Sequence, residues 1–155
     1  AYVEPILREL LNPCFPRLRI EVEGRVVVDG ERGLAIVANC RQYASRMNPA
    51  MDASMTDGML DVVFFPTESR ARTLWWGVRA RLRRLGGARG FVEARGRSVR
   101  IECVDGTAPM EVDGEAPGMG AMKGSGMKEG APAPPEATTP VEMEVDSGVL
   151  SVLVP

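Results

Sequence analysis

The 155-residue sequence contains no histidine, and it has only three cysteines, two lysines and 5% aromatic residues. Without histidine, the chain cannot build a Ser-His-Asp or Cys-His catalytic centre or a histidine-ligated metal site. Because the cysteines (Cys14, Cys40 and Cys103) are far apart and odd in number, they argue against a disulfide framework. They favour a reducing compartment, so we expect the protein in the cytoplasm. No apolar run approaches the roughly 18 residues that a transmembrane helix needs.

The composition is that of a globular domain. Hydrophobic residues make up 45% of the chain and charged residues 26%, and a length of 155 residues is usual for one domain. The chain begins with Ala1 and shows no charged-then-apolar leader, so we expect a fragment of a longer protein. The sequence therefore predicts a single domain over residues 1–155.

Charge is distributed unevenly along the chain. Residues 70–100 contain ten arginines and one acid, Glu93, whereas residues 1–69 and 101–155 carry more acids than bases. A basic region between acidic ones can indicate contact with an anionic partner, such as an anionic membrane surface. The alternative is a solvated face in a protein that uses 17 arginines and 2 lysines. No nucleic-acid partner is expected, because no recognition motif is present.

Apolar patterning predicts several short β-strands. Residues 17–23 alternate and should pair with residues 25–28 in a hairpin, followed by a turn at Asp29-Gly30-Glu31. The nearly continuous apolar run at 33–39 predicts a central strand. Further strands are predicted at 59–65, 90–95, 98–104, 109–113, 141–145 and 149–154.

Two helices are also predicted. One covers residues 2–11, and a second covers residues 68–85 with Thr67 as its N-cap. In the second helix, one apolar face should pack on the sheet, with arginines around it. That face consists of Leu74, Val78, Leu82 and Leu85.

Residues 117–139 are rich in glycine, proline, alanine and methionine and have no periodicity, which predicts a flexible insertion. Many short strands with few helices favour two packed layers of sheet. The predicted fold class is therefore mostly β, a β-rich sandwich with one or two helices.

Two acid-bearing turns are candidate sites. Asp57 and Gly58 form a turn before an apolar strand, where the carboxylate and nearby carbonyls could bind a hard cation. Asp113 and Glu115 follow a strand end, where an acid can act as a general base at the rim of a cleft. Both have a plain turn as the alternative, since Asp-Gly is a common turn dipeptide. The tetrapeptide Val-Asp-Gly-Glu also occurs at 28–31, so its letters alone are weak evidence.

The order of these motifs is more specific than any one of them. The strand ending at Asn39 precedes D-G-x-L-D-V at Asp57, then V-D-G-E at Val112 and a Thr139-Pro140 strand. From about residue 17 to 155, this order resembles the C-terminal domain of the diacylglycerol kinase, sphingosine kinase and YegS-like lipid kinase family.

The resemblance implies the C-terminal domain of a two-domain, ATP-dependent lipid kinase that uses Mg²⁺. Glu115 then takes the position of the proton acceptor, and Asp113 orients that base or its turn. Asp57 takes the position of the structural magnesium ligand, together with the backbone carbonyls of Ser54 and Met59. ATP is bound mainly by an N-terminal domain with a Gly-Gly-Asp-Gly-Thr loop, and that string does not occur in this sequence.

The expected function is transfer of the γ-phosphate of ATP to the hydroxyl of a diacylglycerol-like or sphingoid lipid. A carboxylate base suits this reaction, because a lipid hydroxyl must lose its proton during attack. The fragment alone is expected to be inactive. The alternative is a non-catalytic lipid-binding or membrane-surface module with the same fold, using the basic helix at 68–85. A nucleotide loop elsewhere in the protein would favour the kinase.

Overall fold

A computed structural model describes residues 15–41, 49–110 and 138–145. Within these residues every strand pair is antiparallel, and the sheet order is β4-β3-β2-β1-β5-β6. The mostly β fold class is therefore confirmed. The elements are β1 (Arg17–Val22), β2 (Arg25–Ala38), β3 (Leu60–Pro66), α1 (Arg70–Arg81), β4 (Val92–Gly96), β5 (Ser98–Cys103) and β6 (Val141–Glu144).

The sheet folds over itself because β2 belongs to both of its halves. Residues 25–32 of β2 pair with β1, and residues 33–38 pair with β3. Buried side chains of β1, β3 and β5 meet in one core, although β1 and β3 are not neighbours in the sheet. The two halves therefore form the sandwich-like arrangement that the strand pattern predicts.

The predicted turn at Asp29-Gly30-Glu31 is wrong, because these residues lie inside the continuous 14-residue strand β2. Gly30 has a φ angle of 73°, and the pairing of β1 with β2 shifts register between Leu18 and Arg19. A glycine with positive φ at a register shift is typical of a β-bulge. The bulge bends β2 where a hairpin turn would have reversed it.

Strand β3 is buried on both faces. Leu60, Val62 and Phe64 face the core between the two halves of the sheet. Val63 and Phe65 face a second core, which includes side chains of α1. This strand is the continuous apolar run predicted at 59–65, and it occupies residues 60–66.

Helix α1 is shorter than the predicted 68–85. Ser69 is its N-cap, and the Ser69 hydroxyl accepts a hydrogen bond from the Arg72 amide at 3.3 Å. Thr67 is not the cap, because its buried hydroxyl instead donates to the Ser69 carbonyl at 3.1 Å. The helix ends at Arg81, and Arg83 then has a φ angle of 55°.

The predicted apolar face of α1 is also wrong. Leu74, Val78 and Leu82 are 70%, 50% and 58% exposed, whereas Trp76 and Ala80 are buried against β3. Leu85 is the one residue of the four predicted for this face that is buried, and it lies beyond the end of the helix.

The aromatic residues explain this orientation of α1. The indole ring of Trp76 contacts Phe65 at a centroid distance of 5.5 Å, and its N–H donates to the Pro66 carbonyl at 2.9 Å. A tryptophan buries more apolar area than a leucine and also satisfies its N–H here. Trp76 therefore fixes which face of the helix meets the sheet.

Several predicted elements lie outside the described residues: the helix at 2–11, the strand at 149–154 and most of the insertion at 117–139. The last two residues of that insertion are described, and they belong to the fold. Thr138 forms an isolated bridge with Pro109, and the Ala108 amide donates to the buried Thr139 hydroxyl at 3.0 Å. The chain therefore returns at residue 138 to the point that it leaves at residue 109.

In the part of the chain that the structure describes, no helix is both long enough and apolar enough to cross a membrane.

Candidate functional site

The three residues predicted to bind a cation lie together in one turn before β3. The Asp57 carboxylate accepts a hydrogen bond from the Met59 amide at 3.0 Å through Oδ1, which closes an Asx turn. The Ser54 hydroxyl lies 3.1 Å from the Thr56 hydroxyl and accepts from the Thr56 amide at 3.4 Å. Local hydrogen bonds thus hold residues 54–59 in a compact loop that presents one carboxylate.

The guanidinium of Arg95 binds this turn from the neighbouring strand β4. Its Nη2 lies 3.0 Å from Oδ2 of Asp57 and donates to the Asp52 carbonyl at 2.6 Å. Its Nε and Nη2 donate to the two oxygens of Asp61 at 3.1 and 3.2 Å. Arg95 is thus the common partner of two carboxylates and one backbone carbonyl.

Asp61 and Arg95 meet because they are register partners across β3 and β4. The Asp61 side chain is only 4% exposed, within a strand whose other side chains are apolar. A carboxylate so buried needs a hydrogen-bonded cation, and the bidentate guanidinium supplies one. Because Arg95 also contacts the Asp57 carboxylate, this pair anchors the Asp57 turn to the start of β3.

Charges in this cluster shift the pKa values of Arg95 and Glu93. The hydrogen bond to Asp61, with the charges of Asp61, Asp57 and Asp52, raises the pKa of the Arg95 guanidinium. Partial burial raises the pKa of Glu93, and the negative charges of Asp52 and Asp61 raise it further, while Arg95 opposes the shift. The site is thus an excess of carboxylates around one fixed cation.

This arrangement suits a divalent cation only in part. Among residues 15–41, 49–110 and 138–145, no group of three acids, cysteines or histidines could hold a metal ion. Asp57 would be the single carboxylate ligand, so the remaining ligands would be oxygens such as the carbonyls of Ser54 and Met59, which Mg²⁺ accepts. A cation on Oδ2 of Asp57 would compete there with Arg95.

The predicted catalytic residues, Asp113 and Glu115, lie outside the described residues. In the sequence they come shortly after residues 108–109, which meet residues 138–139 at a junction in the fold. That junction belongs to the core of the sandwich, since Ala108 is 3% exposed there.

The ion pair between Arg95 and Asp61 was not predicted from the sequence. The two residues lie 34 positions apart, so no local spacing connects them. One signal was present: Asp61 stands inside an apolar strand, where an acid requires a cationic partner. The search for that partner would have led to the arginine-rich region at 70–100.

The sequence matches a known family model over almost its whole length. Residues 1–154 match the family model described as "YegS C-terminal NAD kinase beta sandwich-like domain". No curated protein matches the sequence of this chain.

Solved structures from Bacillus anthracis str. Sterne share this fold. One, described as a "putative diacylglycerol kinase", has a TM-score of 0.61 and 15% identity, and the match covers 93% of this chain and 41% of that chain. Another, described as one of the diacylglycerol kinases, has a TM-score of 0.55 and 16% identity, with 93% and 44% covered. This chain thus spans less than half the length of these two structures, and at such identity the likeness concerns the fold alone.

Proposed function

Because this chain belongs to the family of the YegS C-terminal NAD kinase beta sandwich-like domain, we propose that it is the lipid-binding, C-terminal domain of an ATP-dependent lipid kinase. The family match over residues 1–154 carries the proposal. The proposed substrate is a lipid with a free hydroxyl, of the diacylglycerol or sphingoid class. ATP would be bound mainly by a further domain, since the similar structures are more than twice as long as the part that this chain covers.

In the proposed reaction, the lipid hydroxyl oxygen forms a bond to the γ-phosphorus of ATP. The bond from that phosphorus to the bridging oxygen breaks, and ADP leaves. The hydroxyl proton passes to the Glu115 carboxylate, which acts as the general base. Asp113, two residues earlier, would orient this base or its turn.

The proposed role of Mg²⁺ in this domain is structural. Asp57 would hold the ion with the carbonyls of Ser54 and Met59, because all three residues lie in the compact turn before β3. An ion there adds a positive charge to a cluster with more carboxylates than cations. It would fix the turn without taking part in the phosphoryl transfer.

The test of the proposed function is phosphate transfer from radiolabelled ATP to diacylglycerol or a sphingoid base in mixed micelles. The chain is assayed together with the nucleotide-binding domain that the proposal requires. We expect labelled lipid phosphate, and we expect Glu115→Gln to lower kcat by roughly 10²–10⁴-fold, the usual cost of losing a general base. Lipid binding by the variant should be unchanged.

The chain supplies a matched control in its other Val-Asp-Gly-Glu copy. Glu31 is exposed in the middle of β2, next to the bulge at Gly30, so Glu31→Gln should retain full activity. Full activity of Glu115→Gln would remove the catalytic assignment. A wild-type protein that binds lipid but transfers no phosphate would favour the alternative, a non-catalytic lipid-binding module.

A further inference from the structure

Helix α1 has a second apolar surface on the side that faces away from the sheet. Three large side chains at four-residue intervals, the last of them at the C-cap residue directly after α1, and one adjacent tryptophan form this outer ridge. The outer ridge consists of Leu74 (70% exposed), Trp75 (45%), Val78 (50%) and Leu82 (58%).

The outer ridge lies opposite the buried face of α1. At about 100° per residue, its members span roughly a third of the helix circumference, on the side away from Trp76 and Ala80. The sheet therefore does not cover the outer ridge, and Trp76 already fills the contact with Phe65. Exposed apolar side chains scattered singly are common, but a continuous ridge on one helix indicates a contact surface.

The charged side chains of α1 and of the three residues that follow it all have one sign. Residues 70–84 contain six arginines and no acid. At helical spacing, Arg70 and Arg81 flank one side of the ridge, and Arg72 and Arg79 flank the other. The Arg79 guanidinium lies 4.8 Å from the centroid of the Trp75 ring, which holds a charge against the edge of the ridge.

We propose that the outer ridge of α1 inserts shallowly into an anionic phospholipid bilayer, with the flanking arginines at the level of the lipid phosphates. An apolar stripe with tryptophan and leucine between rows of arginine is the pattern of helices that lie in a membrane interface. The charge complementarity selects an anionic surface, because zwitterionic lipid offers the arginines no net attraction. This inference does not depend on catalysis by the domain.

The experiment is co-sedimentation of the 155-residue chain with vesicles of phosphatidylcholine alone or mixed with phosphatidylglycerol. We expect binding to the mixed vesicles at about 0.05 M salt and much weaker binding at about 0.5 M, where the Debye length falls to a few ångströms. Vesicles of phosphatidylcholine alone should bind little of the chain.

Two double variants separate the apolar contribution from the charge. Leu74→Ser with Leu82→Ser should weaken binding about tenfold or more, since both side chains would leave the acyl region. Arg72→Glu with Arg81→Glu, one arginine from each flank of the ridge, should weaken binding at least about thirtyfold, because each basic residue contributes to attraction by the anionic leaflet. All four side chains are exposed, so the variants should retain the wild-type far-UV circular dichroism.

The matched controls lie on other surfaces of the sandwich. Val26→Ser with Val104→Ser removes two exposed apolar side chains, and Arg25→Glu with Arg97→Glu reverses two exposed charges. The apolar control should bind vesicles like the wild type. The charge control should lose clearly less affinity than Arg72→Glu with Arg81→Glu.

Tryptophan fluorescence gives an independent measurement, because Trp75 and Trp76 are the two tryptophans of the chain. Trp75 lies on the outer ridge, whereas Trp76 is 3% exposed. Vesicle binding should shift the emission to the blue and allow quenching by brominated lipid. In Trp75→Phe both responses should disappear.

Three results would overturn the proposal. The first is a wild-type chain that ignores anionic vesicles at low salt. The second is unchanged binding by Leu74→Ser with Leu82→Ser, which would leave a purely electrostatic contact without insertion. The third is concentration-dependent self-association that the leucine variants abolish, in the absence of vesicle binding, which would assign the outer ridge to a protein contact.

Discussion

Asp57 and Asp61 bind the same guanidinium but differ in their surroundings. The Asp61 side chain is 4% exposed in β3, whereas the Asp57 side chain is 30% exposed in the turn before that strand. Strand pairing fixes Asp61 opposite Arg95, while Asp57 depends on the local Asx turn. Burial therefore makes the first contact part of the fold, and exposure leaves the second carboxylate able to exchange its partner.

The largest difference between the two aspartates should appear in stability. Asp61→Asn should lower the free energy of unfolding by roughly 1–3 kcal/mol, because it replaces a charge-assisted pair of hydrogen bonds at a buried position. Asp57→Asn should cost about 0–1 kcal/mol, the usual range for an exposed ion pair. Urea denaturation of both variants measures this difference. Equal losses would show that the two contacts are equivalent.

The second difference concerns Mg²⁺, and here the order of the two aspartates should reverse. The ion proposed at Asp57 should raise the melting temperature of the wild type, with about 1.4 kcal/mol gained at a concentration tenfold above Kd. Asp57→Asn should abolish the gain, and Asp61→Asn should retain it on a less stable background. Calorimetry with Mg²⁺ and with a chelator makes the comparison. A wild-type melting temperature that is the same in both conditions would contradict the proposed ion site.

Glu93 should give the smallest effect. Its pKa is raised by burial and by Asp52 and Asp61, so the folded state holds its proton more tightly than the unfolded state does. Stability is therefore lost as pH rises from 4.5, its ordinary pKa, through the folded-state value. Glu93→Gln removes this loss and should stabilise the domain at pH 7 by at most about 0.5 kcal/mol, since the side chain is only partly buried and water screens its charge.

The pH dependence provides the control for Glu93. Below the ordinary glutamate pKa both states are protonated, so the stabilisation by Glu93→Gln should disappear there. A stabilisation that is the same at pH 4 and pH 7 would indicate a packing effect instead. Chemical denaturation at the two pH values distinguishes these outcomes.

Strands were predicted well where one local pattern decides the structure. Alternation at 17–23 and the apolar run at 59–65 correspond to β1 and β3 within one residue at each end. The structure at residues 29–31 was predicted wrongly, because the dipeptide Asp-Gly is compatible both with a hairpin turn and with a β-bulge. The choice depends on pairing with β1, which is not a local property.

Helix α1 and the Arg95 cluster were harder to predict, because tertiary contacts decide both. Four aliphatic residues gave a clear apolar face, yet the single tryptophan at 76 determines which side is buried. The acid of the turn before β3, Asp57, was visible in the sequence. Its partner was not, because Arg95 comes from another strand and any of the ten arginines in residues 70–100 could have served.

The continuity of β2 has a consequence for how the domain loses its structure. One half of this strand is hydrogen-bonded to β1 and the other half to β3, so neither layer can peel away without breaking the backbone ladder that anchors the other. Partial opening that spares one layer is therefore costly. The described sandwich should melt as a single cooperative unit, with the bend at Gly30 as the hinge through which strain in one layer reaches the other.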